Sequence, residues 1–144
     1  MIELVILAAV VLAAVAVGLL LRRNQGRVRP ATLDPETAQR ARLLDAAGVT
    51  GDGPAVLHFS ADWCGPCDAV RRVVAGVTAE LSDSPNAPRD IEIDIDADPA
   101  LARELNVLSL PTTFVFDAEG KERFRISGVP KAGDLRTALE PLTV

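Results

Sequence analysis

The sequence predicts an α/β domain, with a central mixed sheet flanked by helices, preceded by one transmembrane helix. Three observations point there. The chain opens with eighteen residues, Leu4 to Leu21, that carry no charge. Beyond them, short apolar or alternating runs of strand type interleave with segments of helical spacing. Their order is helix, strand, helix, strand, helix, strand, strand, helix. The first strand–helix–strand unit implies a parallel pair with a right-handed crossover, and the two late strands imply an antiparallel ribbon in the same sheet.

With Ile2 and Glu3 the opening run reaches about 20 residues, or about 30 Å as a helix, the thickness of a bilayer's hydrocarbon core. Residues 1–21 therefore read as a single membrane pass, with the membrane as a partner through residues 2–21. A cleaved signal peptide is the competing reading, because Ala14-Val15-Ala16 has the small residues of a cleavage site. Such peptides begin with a positive segment and carry roughly 7–15 apolar residues. This chain begins MIEL, with an acid, and stays apolar to Leu21. Arg22, Arg23, Arg27 and Arg29 follow the run, whereas only Glu3 and the α-amino group precede it. Because Lys and Arg resist translocation, the domain is expected on the cytoplasmic side. Residues 22–31 read as a basic linker and residues 32–144 as the folded domain.

Within that domain, DPETAQRARLLDAAG carries helix signals: Asp34 as cap, Pro35 in the first turn, Gly48 as stop. Ala55–Ser60, AVLHFS, fits a strand buried on both faces. A helix follows from Cys64 to about Leu81. IEIDIDAD alternates, setting Ile91, Ile93 and Ile95 against acids, as a strand with one wetter face does. PALARELNV is a short helix, and PTTFVFD and KERFRIS form a hairpin across Gly120. KAGDLRTALEPL closes the chain as a helix. Phe59, Phe114 and Phe116 are candidate core.

Residues 30 to 144 hold 19 acidic against 11 basic side chains, a net of −8. A body that acidic excludes the phosphate-neutralising chemistry of nucleic-acid binding.

The chemistry concentrates in HFSADWCGPCDAV, residues 58 to 70, which contains both cysteines, the one tryptophan and the one histidine. Two cysteines scattered at random would fall three apart on the order of once in seventy chains of this length. A bridge between Cys64 and Cys67 closes too small a loop to stabilise much through chain entropy, so the pair reads as reactive. It follows a buried strand and opens a helix, where unpaired N–H groups and the dipole favour a thiolate. Cys64, at the helix end, is expected exposed and attacking; Cys67, a turn inside, shielded and resolving. Zinc would need four ligands, and two thiols with one histidine fall short. Attachment of c-type haem needs histidine after the second cysteine, where Asp68 stands.

WCGPC after VLHFSAD, with SLPTTFVF and ISGV downstream, resembles the thioredoxin family over roughly residues 32 to 143. The resemblance implies a thioredoxin-like three-layer fold and dithiol–disulfide exchange. Cys64 would attack a substrate disulfide, and Cys67 would resolve the mixed disulfide. Pro111 matches the family's cis-proline, with Leu110 before it pairing with substrate. Trp63 matches the flanking aromatic, Gly65 and Pro66 the residues between the thiols, and Gly128 the far rim of the substrate groove. The implied redox group is the Cys64–Cys67 disulfide itself, with no metal or other cofactor. The implied partners are protein disulfides and an upstream reductase or dithiol donor.

Three positions depart from the family pattern. His58 stands where the family carries a buried aspartate, Glu92 where it carries a lysine, and Asp68 where lysine is frequent. Histidine, with a reference pKa of about 6.5, suits a proton acceptor at neutral pH, so His58 is a candidate base for the thiols. The bland alternative is a buried histidine satisfied by hydrogen bonds. Asp62, Asp68 and Glu92 together would disfavour a thiolate, although acids such as Asp62 and Asp68 also sit at solvated helix starts.

Three functions fit: a membrane-tethered protein-disulfide reductase facing the cytoplasm, the same domain outside for envelope disulfide reduction or cytochrome maturation, and a redox-responsive binding module without turnover.

Overall fold

The computed structural model describes residues 1–24 and 35–144, with backbone only for Leu4 and residues 20–24. The chain divides into two compact units, Met1–Leu33 and Asp34–Val144.

In the first unit, α1 runs from Ile2 to Asn24. Val5, Ile6, Leu7, Val10, Val11 and Leu12 point outward around its whole circumference, each more than half exposed. The expectation of a spanning helix over 1–21 is not met: among the described residues, no helix is long and apolar enough to cross a membrane. From residue 25 onward, the expected linker at 22–31 lies outside the described residues.

The second unit holds β1 (Ala55–Ser60), β2 (Arg89–Asp94), β3 (Thr112–Phe116) and β4 (Glu122–Ser127), in the sheet order β2-β1-β3-β4. The expected pairing is found. β1 runs parallel to β2, with His58 opposite Glu92, and antiparallel to β3, with His58 opposite Thr113. β3 and β4 form the antiparallel hairpin, and Gly120, at φ 77°, supplies the left-handed residue its turn requires.

Side-chain alternation along β1 builds a core on each face of the sheet. Ala55, Leu57 and Phe59 face α2 (Pro35–Ala46) and α4 (Pro99–Glu104), packing with Leu44, Leu101, Phe114 and Phe116. Val56 faces α3 (Cys67–Glu80) and α5 (Ala132–Leu139), packing with Val70, Val74, Leu135 and Leu139. A 3-10 turn, Glu140–Leu142, follows α5. This is the three-layer arrangement expected, and each fully buried Val, Leu or Phe contributes roughly 1.5–3 kcal/mol. The three phenylalanines are fully buried, with Phe59 set edge-on to Phe114 at 6.0 Å and Phe114 stacked on Phe116 at 5.9 Å. β2 alternates as its sequence requires, and Ile91, Ile93 and Ile95 pack against the α2–α4 core.

Two element ends differ from expectation. α3 begins at Cys67, because the Cys67 N–H donates to the Cys64 carbonyl while the Ala69 and Val70 N–H groups donate to Pro66. Residues 64 to 66 are thus still a turn, with Pro66, at φ −69°, in the capping position. α4 stops at Glu104, since Asn106 adopts a φ of 54° that ends helical winding.

Arg89 fastens the loop between α2 and β1 to the edge of the sheet. Its guanidinium donates to the carbonyls of Gly48, Val49 (2.7 Å), Thr50 (3.4 Å) and Gly53 (3.0 Å). Arg89→Met keeps the aliphatic stem and leaves these carbonyls without their donor. It should lower stability by about 2 kcal/mol, read as a shift of the urea midpoint with unchanged slope.

Candidate active site: the dithiol turn

β1 ends at Ser60 and α3 starts at Cys67, so the intervening turn emerges at one end of the sheet. Cys64 and Cys67 are joined there as a disulfide, with Cα atoms 5.5 Å apart. Ala61 completes their buried cluster, and Ile95 and Leu110 pack against it. Cys64 was expected exposed and is not: it retains 9% of its surface against 1% for Cys67. The cover comes from Ala61, Ile95 and Leu110, which hold the oxidised pair inward. The order of exposure nonetheless follows the assigned roles, the outer sulfur belonging to Cys64. No side chain caps the amino end of α3; its first turn is closed by backbone bonds to the Cys64 and Pro66 carbonyls, and the positive end of the helix dipole faces the dithiol.

The neighbouring positions gather as the sequence suggested. Trp63 is exposed, not core, and its indole Nε1 donates to Asp96 Oδ2 at 3.0 Å. Gly65 and Pro66 lie exposed between the thiols. Leu110–Pro111 is a cis peptide bond, and the Pro111 carbonyl accepts the Gly128 N–H at 2.9 Å. Gly128 holds a φ of 86°, which a side chain would strain. Loops 105–111 and 127–130 are thereby tied together. A cleft of about 540 Å³ between β4 and α5, lined by residues including Phe124, Val129 and Leu135, includes neither cysteine.

His58 is buried at 1% exposure, on the β1 face that also carries Val56. Its Nε2 lies 3.0 Å from Asp90 Oδ1, and its buried Nδ1 has no hydrogen-bond partner among the described residues. The Cys67 sulfur rests 3.8 Å from the carbonyl oxygen of Phe59, the next residue along the strand.

Sequence reasoning missed Arg71. From the first turns of α3 its guanidinium pairs with Asp68 and, at 2.7 Å, with Glu92. Two of the three acids expected to burden a thiolate are therefore neutralised by one cation. Asp68 and Arg71 stand three apart on a helix, a spacing that signals such a pair. The link to Glu92 depends on how α3 lies over β2, which no local pattern gives.

Comparison with known proteins follows the same lines. The thioredoxin family model matches residues 44–141. A thioredoxin of Mycolicibacterium smegmatis is 39% identical over 90 residues, covering 62% of this chain and 79% of that protein. One from Mycobacterium bovis is 32% identical over 108 residues, covering 72% and 90%. The oxidised crystal structure of mitochondrial thioredoxin 3 from Saccharomyces cerevisiae superposes with a TM-score of 0.57 at 23% identity, covering 69% and 90%, a likeness of fold.

Burial pushes the Glu92 carboxyl up, but the Ser60 hydroxyl beside it, the Arg71 hydrogen bond and the Arg71 charge outweigh that, holding it below its ordinary value of 4.5. A carboxyl depressed in the folded state stabilises above its unfolded pKa and loses that contribution as pH falls through the folded one. Thermal melts should therefore show Glu92→Gln less stable than wild type at pH 7, with the gap closing in acid below the ordinary glutamate range.

Proposed function

The chain belongs to the thioredoxin family and is a thiol–disulfide oxidoreductase whose redox group is its own cysteine pair; we propose that it is a membrane-tethered reductase of protein disulfides. The observation that carries the chemistry is the Cys64–Cys67 pair at the uncapped start of α3, with the outer sulfur on Cys64. In the reduced protein the Cys64 thiolate attacks a substrate disulfide, and one substrate sulfur leaves. Cys67 then attacks Cys64, re-forming the internal bond and releasing the second substrate sulfur. Substrate backbone lies along Leu110 and the cis-proline, between Trp63 and Gly128. His58 takes the Cys67 proton. Each turnover costs the protein two electrons, so a reductase or dithiol donor must return them. The Gly-Pro dipeptide between the cysteines supports the reducing direction, being the form that reducing thioredoxins carry.

Tethering rests on sequence and on the outward apolar surface of α1. The uncharged run from Leu4 to Leu21 is eighteen residues long. The arginines that follow support a domain on the cytoplasmic side, because Lys and Arg resist translocation. Confinement to the membrane raises the effective concentration of substrates held there.

Insulin reduction with dithiothreitol as donor should proceed with the wild type and stop in Cys64→Ser, whereas a turnover-free binding module would give no reduction. Cys67→Ser should trap mixed disulfides with target proteins in cells; capture of none would sink the reductase reading. Alkaline phosphatase fused after Val144 should be inactive, because that reporter works only outside the cytoplasm, and an active fusion would place the domain in the envelope. His58→Ala should slow release of the mixed disulfide several-fold near neutral pH.

A further inference from the structure

We propose that Asp90 is a positioning residue for the dithiol, fixing the tautomer of His58 so that the imidazole's free lone pair sits at Nδ1, inside the domain, as proton acceptor for Cys67. The inference rests on the reductase reading above and adds a second residue to its proton path.

The argument begins with donors and acceptors. An ionised carboxylate only accepts hydrogen bonds, so the 3.0 Å contact between His58 Nε2 and Asp90 Oδ1 places a proton on Nε2. A neutral imidazole carries one N–H, which leaves Nδ1 as the base. That atom is buried with no partner among the described residues. A purely structural histidine would satisfy both nitrogens, because an unmet buried polar atom costs about 1–3 kcal/mol. The Thr113 hydroxyl, on the residue directly opposite His58 in β3, is buried and unpartnered as well. Two polar atoms thus share a layer with nothing in the described residues to bond to.

Position does the rest. His58 follows Val56 by one full strand period, on the face where Val56 meets Val70 and Val74 of α3. Cys67 lies one turn nearer the start of that helix, on the stripe that Val70 and Val74 continue. The imidazole therefore sits beneath the first turn of α3. The charged groups facing it are few. β2 contributes Asp90 and Glu92, α3 contributes Arg71, which is paired with Glu92, and β3 contributes only the neutral Thr113. The Asp90 side chain is 34% exposed, so the same residue that orients the ring connects it to solvent.

The step balances as follows. In the mixed disulfide, the Cys67 thiol gives its proton to His58 Nδ1, forming an imidazolium that Asp90 stabilises. The Cys67 thiolate attacks Cys64 Sγ, so the Cys64–Cys67 bond forms and the Cys64–substrate bond breaks. The substrate sulfur leaves with the bonding pair and takes a proton from water. The Nδ1 proton returns to the Cys67 sulfur when the donor dithiol reopens the internal bond, which restores the Nε2–H tautomer held by Asp90. The protein dithiol is oxidised by two electrons and the substrate disulfide is reduced.

The test uses the full chain in mild detergent, reduced and then mixed with a disulfide-bonded peptide. Samples are quenched by acid and thiols counted by alkylation and mass shift, from pH 5 to pH 9. Attack by Cys64 is measured separately in a Cys67→Ser background. Asp90→Asn should leave attack within about twofold and slow release at least fivefold near neutral pH. Its acid limb should move to lower pH, because an amide no longer stabilises the imidazolium. Asp90→Glu should restore most of the rate, and Asp90→Ser, should the amide variant not fold, carries the same expectation as Asp90→Asn. The proposal is overturned if His58→Ala alters the release profile and Asp90→Asn does not. Should neither substitution change release, the histidine base itself is lost; absence of peptide reduction by the wild type would instead strike the reductase reading.

Discussion

Burial of β1 on both faces governs the whole molecule. The strand lies inside the sheet, all six of its residues are buried, and its alternation supplies side chains to two separate cores. Such a strand cannot slip, because a one-residue shift would exchange the two faces and expose His58 and Val56 to a core shaped for Leu57 and Phe59. Everything chemical follows from where it stops. Beyond Ser60 the chain must turn, and the turn carries the cysteines to the start of a helix held down by Val70, Val74 and Val77. Rigid framework and reactive turn are consecutive in sequence, so the geometry of the dithiol inherits the stability of the core.

Two ion-pair systems on the domain illustrate how acidity is managed. Arg71 joins Asp68 to Glu92 across α3 and β2. Arg40 of α2 and Arg125 of β4 converge on Glu122, whose carboxyl is raised by burial but held below its usual value by the hydrogen bonds and charges of these two cations. Arg125 also rests over the Phe114 ring at 4.5 Å. At these two places an arginine offsets carboxylates that lie near the site or the core.

Much of this was legible in the sequence, and the reasons are local. AVLHFS reads as a doubly buried strand because it is short, mostly apolar and free of charged residues, and IEIDIDAD as a half-buried one because its isoleucines alternate with acids. Cys64, Cys67, Trp63, Pro111 and Gly128 were found through a compact motif and its downstream companions. What escaped depends on register. The His58–Asp90 contact joins residues 32 apart, and the Arg71–Glu92 contact residues 21 apart. Neither exists until β2 has paired parallel to β1 and α3 has crossed above them. The extent of α3 escaped for a different reason: a proline inside a dithiol turn looks like a helical first position but serves as the residue before it. Cys64 proved more covered than expected because Ile95 and Leu110, from distant segments, close over it.

The chain has no tyrosine and a single tryptophan, Trp63. That indole stands beside the disulfide, one residue from Cys64, exposed and pinned through its N–H to Asp96. Disulfides quench indole emission at close range, so the near-ultraviolet fluorescence of the whole protein originates at its reactive centre. Oxidation state is thereby written into one optical signal, with no label attached.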